Sequence, residues 1–198
     1  MRLKPWLAVA TSVSATWTIP QLAVDGPFGA DATWIGIGGL RSRDLIQAGT
    51  QQAVSGTGSV TYHAWIETLP DVSHAVPLTV LPGESITISI DQQDVDFWLI
   101  SFANLTSGQT LQRTLQYTST VSSAEWIEEA PFARRRVLPI SQFGSLTFTS
   151  ASAVKDGQSL TPADLGARAI SLIDDTGHIL AVPSPLSADG SSFTVSRW

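Results

Sequence analysis

Short runs of alternating or β-branched residues, cut by Gly or Pro, recur along much of the chain. Ser85 to Asp91 is the cleanest. Ile86, Ile88 and Ile90 predict an inward face there, and Ser85, Thr87 and Ser89 an outward one. Val9 to Ile19, Thr33 to Ile37, Arg43 to Gly49 and Val60 to Leu69 predict earlier strands. Between them lie the turn or loop clusters Asp25-Gly26-Pro27-Phe28-Gly29, Gly38-Gly39 and Ser55-Gly56-Thr57-Gly58. Phe97 to Ala103 is apolar on both faces and predicts a strand deep between two sheets. In Gln109 to Thr118, Leu111, Leu115 and Tyr117 alternate with Gln112, Thr114 and Gln116. Later strands are predicted over Val137 to Ile140, Ser145 to Ser150, Ala167 to Ile173, Gly177 to Val182 and Phe193 to Trp198. Thr161 to Leu165 could form one helical turn. Many short strands without intervening helices predict an all-β fold, a two-sheet antiparallel β-sandwich forming one domain over residues 1–198.

Composition narrows the function. Hydrophobic residues make up 43% of the 198, enough for a sizeable core, while a net charge of −6 argues against a nucleic-acid partner. Only 14% of residues are charged, which suits work at low pH because few carboxylates lose pairing when protonated. Without cysteine there is no disulfide or thiolate metal site, and His63, His74 and His178 lack zinc-site spacing, so no metal is expected. No apolar run approaches the roughly 18 residues of a membrane span. Met1 to Ala10 is a weak match to a signal peptide and reads better as the start of a first strand. Nothing demands more than a monomer.

Chemistry concentrates in Ser123-Ala124-Glu125-Trp126-Ile127-Glu128-Glu129. Period 2 puts Ser123, Glu125, Ile127 and Glu129 on one face and Ala124, Trp126 and Glu128 on the other. Three acids in five strand residues are unusual, and a solvated face accounts for Glu128. In Trp34-Ile35-Gly36-Ile37-Gly38-Gly39, Gly36 and Gly38 share the Trp34 face and leave it bare, room for an extended peptide. Gln47 stands in an apolar strand, as a hydrogen-bonded structural group or as an amide donor to an oxyanion. His63, Trp65 and Glu67 share a face that is either a solvent edge or a second carboxyl in an aromatic-walled groove. Arg134-Arg135-Arg136 reads as a solvated turn. Asn104-Leu105-Thr106 matches the glycosylation sequon.

Together these segments resemble the glutamic peptidases, or eqolisins (family G1). The matching blocks are Ser14 to Pro20, Trp34 to Ile37, Leu45 to Gly49, Tyr62 to Glu67, Asn104 to Gln109, Ala124 to Ile127 and Phe143 to Phe148, in family order. The resemblance implies a concanavalin-like or jelly-roll sandwich with a substrate groove across one sheet. It implies a catalytic pair at Gln47 and Glu125, and groove roles for Trp34, Trp65 and Glu67. It also implies polypeptide substrates, secretion with a propeptide, and no cofactor. Gly38 and His63 stand where better-known fungal members have acids, Leu69 replaces a family tyrosine, and the missing cysteines resemble a bacterial-type member.

On this resemblance, Glu125 takes a proton from the attacking water, Gln47 steadies the oxyanion, and Glu125 returns the proton to the leaving amine. His63, charged in acid, is expected to lower nearby carboxyl pKa values and so alter the pH profile. Two other readings remain open: a glycoside hydrolase with paired carboxylates, and a non-catalytic binding module with Trp34 and Trp65 as stacking platforms.

Overall fold

The computed structural model describes residues 10–23, 27–40, 42–133 and 136–198. Val9 at the expected start of the first strand, the leader-like residues before it, Asp25-Gly26 of the expected turn and Arg134-Arg135 lie outside them. The first strands are β1 (Ala10–Thr18), β2 (Gly29–Gly38), β3 (Leu45–Val54), β4 (Val60–Thr68) and β5 (His74–Ala75). Then follow β6 (Ser85–Asp94), β7 (Phe97–Asn104), β8 (Thr110–Gln116), β9 (Ala124–Glu129), β10 (Phe132–Ala133) and β11 (Arg136–Val137). The last are β12 (Ser145–Lys155), β13 (Gln158–Leu160), β14 (Leu172–Ile173), β15 (Ile179–Pro183) and β16 (Phe193–Arg197). The described residues form no helix. Thr161 to Leu165 makes a turn closed by the Leu165 N–H donating to the Thr161 carbonyl at 3.1 Å.

These strands build two antiparallel sheets. One runs β14-β15-β16-β12-β1-β6-β7-β8 with β13 beside β12, the other β5-β4-β3-β2-β9, and β10-β11 is a separate hairpin. Ile86, Ile88 and Ile90 are fully buried, as their alternation predicts. With Val13, Ala15 and Trp17 of β1 they pack in one core with Ile35, Ile37, Ile46 and Ala48 of the smaller sheet. Indole donors stitch the layers: Trp17 Nε1 reaches Thr50 Oγ1 at 3.1 Å, and Trp126 Nε1 reaches the Ser14 carbonyl at 2.9 Å.

Some strands differ from expectation. Of the apolar residues on β7 only Trp98, Ile100 and Phe102 are buried; Phe97 is 45% exposed, because the outer face of the larger sheet meets solvent. The run from Ala167 pairs only at Leu172–Ile173, with Ile170 exposed. β2 begins at Gly29, earlier than the turn residues before Thr33 suggest, and so takes in Asp31.

The sequon asparagine is structural. Asn104 is 1% exposed. Its Nδ2 donates to Glu84 Oε2 at 2.8 Å and to the Thr79 carbonyl at 3.3 Å, while Oδ1 accepts from the Thr106 and Ser107 amides. Asn104→Ala should lower stability by about 2–3 kcal/mol, since one of the lost bonds is to a carboxylate. Urea unfolding measures the loss; an unchanged midpoint would show that this turn needs no side-chain lock.

Candidate active site

β2 is the spine of the site. In the register, Gly36 lies opposite both Glu125 on β9 and Gln47 on β3, and Gln47 lies opposite Glu67 on β4. Opposed residues of paired strands project to one side. Glu125, Gly36, Gln47 and Glu67 therefore form one row across the face turned away from the main core. Two strand spacings separate the Glu125 and Gln47 backbones, about 10 Å. Both side chains rise from the same face on either side of Gly36, and a side chain at position 36 would stand between them.

The next row holds Ile127, Trp34, Gly49 and Trp65, and the one after it Glu129, Ala32, Gln51 and His63. Ala32, Trp34, Leu45 and Trp65, with Leu69 and Ile127, make a second apolar cluster that floors this face. The floor is not bare beside Gly36, as the sequence suggested. A Cβ on Gly36 would sit 2.9 Å from Trp34 Cζ3 and 3.0 Å from Leu45 Cδ1, so the glycine seats the indole ring. Gly38 is fixed by backbone geometry. Its φ is 93°, and a Cβ there would lie 2.4 Å from the Asp44 carbonyl, so an acid at this position would be strained.

Gln47 is 5% exposed. Its Nε2 donates to Glu67 Oε2, which pins the amide, while Oε1 is buried without a partner. Ser123, on the same face by period 2, puts Oγ 3.0 Å from Glu125 Oε1 and 2.9 Å from the Gly38 carbonyl. Its single proton serves one at a time. Tyr117 ties the row down from below: its hydroxyl accepts the Leu45 N–H and donates to the Leu69 carbonyl, both at 2.8 Å. Those contacts close the ends of the strands carrying Gln47 and Glu67. Ser123 was readable as a neighbour of Glu125; Tyr117 carried no such signal.

Burial sets the protonation of the face. It raises the Glu125 carboxyl above the usual range, partly offset by the Ser123 hydroxyl and the Leu40 backbone. It raises Glu67 as well, offset by the Gln47 amide, the Ser73 backbone and the charge of His74. Glu129 is pushed up to about 7 by burial, with the charges of Glu67 and Glu125 adding to the rise and the Trp34 indole opposing it. Burial lowers His63. The histidine whose charge bears on Glu67 is thus His74, rather than His63 as the sequence suggested.

Glu128 reverses its expectation of a solvated face. It points inward, 7% exposed, and accepts a hydrogen bond from Thr33 Oγ1. Asp31, fully buried on β2, accepts from Ser141 Oγ and Gln52 Nε2. Burial and the Asp31 charge hold the Glu128 carboxyl well above the usual range, so Glu128 carries a proton to Asp31. Its otherwise partnerless Oε1 is the atom free to hold that proton.

Arg136 is exposed on the β10–β11 hairpin, and Asn104 belongs to a turn of the other sheet. Among the described residues, no three His, Cys, Asp or Glu side chains are grouped to hold a metal ion.

Known proteins share this arrangement of strands. The profile of the Peptidase A4 family matches residues 4–197. Aspergillopepsin-2 of Aspergillus niger is 28% identical over 171 residues, which is 83% of this chain and 58% of that protein. Scytalidopepsin B of Scytalidium lignicola is 29% identical over 165 residues, 77% of this chain and 62% of that protein. The chain thus spans about three fifths of the length of these curated relatives. Among solved structures, scytalido-glutamic peptidase with a transition state analog inhibitor gives a TM-score of 0.82 at 25% identity, covering 96% of this chain and 93% of that one. Aspergilloglutamic peptidase from Aspergillus niger gives 0.77 at 27% identity, covering 86% and 99%. With a profile match over nearly its whole length and a shared β-sandwich, this chain belongs to the Peptidase A4 family, the eqolisins or glutamic peptidases.

Proposed function

We propose that the chain is an endopeptidase that hydrolyses polypeptides with a water molecule held between Glu125 and Gln47, acting in acid outside the cell. The observation that carries this reading is the cross-sheet row in which Glu125 and Gln47 flank Gly36 on one face.

In the proposed mechanism, ionised Glu125 removes a proton from the water as it attacks the scissile carbonyl. One Gln47 Nε2 proton is engaged by Glu67, leaving the second for the developing oxyanion and Oε1 to accept from the water. Glu125 then gives its proton to the leaving amine. Trp34 and Trp65, nearly covered, form the apolar bed that holds the row in place. Because Glu125 must ionise, and burial raises it, turnover should climb as pH rises through a value above the ordinary glutamate range.

The rival readings fit less well. A glycosidase needs two carboxyl groups free to act on one bond, whereas Glu67 holds the Gln47 amide and has Gln47 and Gly36 between it and Glu125. Trp34 and Trp65, each 5% exposed, offer no open ring face for a sugar.

The test is to incubate the protein with a denatured polypeptide from about pH 2 to about pH 8 and sequence the new N-termini. New internal cleavage sites that vanish with Glu125→Gln are expected. Wild-type protein that cuts nothing, or a variant that cuts as well, would refute the assignment.

A further inference from the structure

Asp44 stands immediately before β3 and takes no part in the mechanism above, yet its carboxylate holds the segment that leads into Glu125. The Thr120 N–H donates to its Oδ2 at 2.7 Å, Ser119 Oγ donates to the same oxygen at 2.9 Å, and Thr120 Oγ1 lies 3.0 Å from Oδ1. A Cβ on Gly38 would come within 3.1 Å of Oδ2, so the carboxylate also rests against the end of β2. What it holds is a strained turn. Val121 has a φ of 48°, a left-handed conformation that a β-branched residue seldom adopts. Ser119 Oγ accepts the Val121 N–H at 3.1 Å, and the Val121 carbonyl accepts the Ala10 N–H at 3.1 Å. Ser122 Oγ lies 3.2 Å from Ser42 Oγ, which also accepts the Gly39 N–H. Ser123 then meets Gly38 twice, its carbonyl accepting the Gly38 N–H at 3.0 Å and its Oγ donating to the Gly38 carbonyl. Glu125 follows two residues later, on a strand that pairs with β2 along one edge and, among the described residues, with no strand along the other. The start of β9 therefore depends on these turns for its alignment, while Trp126 anchors the opposite face through Ser14.

We propose that Asp44 is a positioning residue for the hydrolysis: by clamping Ser119 and Thr120 it keeps Val121 left-handed, and so aims the Ser123 hydroxyl and the Glu125 carboxyl. The inference rests on the Gln47–Glu125 reading. With the turn held, Ser123 Oγ stays within reach of Glu125 Oε1 and favours the ionised carboxylate, the form that takes the water proton. With the turn released, Val121 relaxes, Ser123 swings away, and the carboxylate loses both its donor and its aim. A misplacement of about 1 Å in a reacting group is enough to cost about 10²-fold in rate. Asp44 itself touches neither the water nor the scissile bond.

The experiment measures kcat, KM and urea midpoints for wild type, Asp44→Asn, Val121→Gly, the double variant, Ser119→Ala and Glu125→Gln, with one fluorogenic peptide from about pH 3 to about pH 7. Asparagine keeps the shape of Asp44 but turns an NH₂ towards groups that are themselves donors. Asp44→Asn should lower kcat by about 10–100-fold with KM within about twofold, and should move the acid limb of the profile to higher pH. Glycine adopts the left-handed turn without strain, so Val121→Gly alone should keep kcat within about threefold. In that background Asp44→Asn should cost less than about threefold more, because the turn no longer needs the clamp. An Asp44→Asn protein with a lower urea midpoint but the kcat and acid limb of wild type would make Asp44 a lock on the fold alone, and overturns the proposal. Equal losses of kcat in the valine and glycine backgrounds overturn it too. Should Asp44→Asn not fold, Ser119→Ala removes one arm of the clamp: a loss of about threefold or more in kcat with a displaced limb supports the proposal, and wild-type values overturn it. Full activity in Glu125→Gln overturns instead the reading beneath it.

Discussion

Replacing Glu125 by glutamine should reduce kcat by about 10³-fold, with KM and the fold little changed. The substitution keeps the size of the side chain and an oxygen for the Ser123 hydroxyl, 3.0 Å away, so the strand has no reason to move. What disappears, on the proposed mechanism, is the group that takes the water proton and returns it, and general acid–base catalysis is worth about 10²–10⁴. Gln47→Ala should lose about 10²–10³, the usual worth of one oxyanion donor. The double variant should be little worse than the poorer single one, because the two groups act on one water and one carbonyl. Single-turnover kinetics with unfolding curves would establish this. Losses that multiply in the double variant would mean the two side chains work independently.

The second large effect is on stability. Glu128 keeps its proton in the folded chain at pH values where an unfolded glutamate has released it. The folded state then binds the extra proton. Stability is complete below the ordinary carboxylate range and falls by about 1.4 kcal/mol per pH unit above it, until the buried group itself ionises. Glu128→Gln imitates the protonated form: its amide oxygen can still accept from Thr33, and its NH₂ can donate to Asp31. The variant should match wild type within about 1 kcal/mol at pH 3 and exceed it by at least about 1 kcal/mol at pH 7. Urea midpoints against pH provide the measurement. Parallel curves for the two proteins would show that this proton does not control folding.

How much of this was legible in the sequence depended on whether the signal was local. The face shared by Glu125 and Glu129 and the face shared by His63, Trp65 and Glu67 followed from period 2, and the register agrees. The meeting of Gln47 with Glu125 did not follow from periodicity, because strand order is set by packing between distant segments; only family resemblance suggested it. Glu128 was misread for a related reason. A charged residue in a strand normally faces water, and the groups that allow burial here, Asp31, Thr33, Gln52 and Ser141, come from other segments. Asp31 itself was hidden because the Gly and Pro before it looked like a turn running up to Thr33, whereas β2 already begins at Gly29. The close approach at Gly36 was equally unreadable, since a glycine does not announce which neighbour occupies its space.

Glu125 lies on β9, the outermost strand of the smaller sheet, and shares a row with Gln47 only because β2 pairs with β9 on one edge and β3 on the other. A slip of one residue between β9 and β2 would turn the carboxyl into the interior and bring the indole of Trp126 outward. On the proposed mechanism, hydrolytic competence is therefore a late event in the life of the polypeptide, acquired only when remote segments have docked in correct alignment. A half-assembled chain would be harmless to itself and to its neighbours.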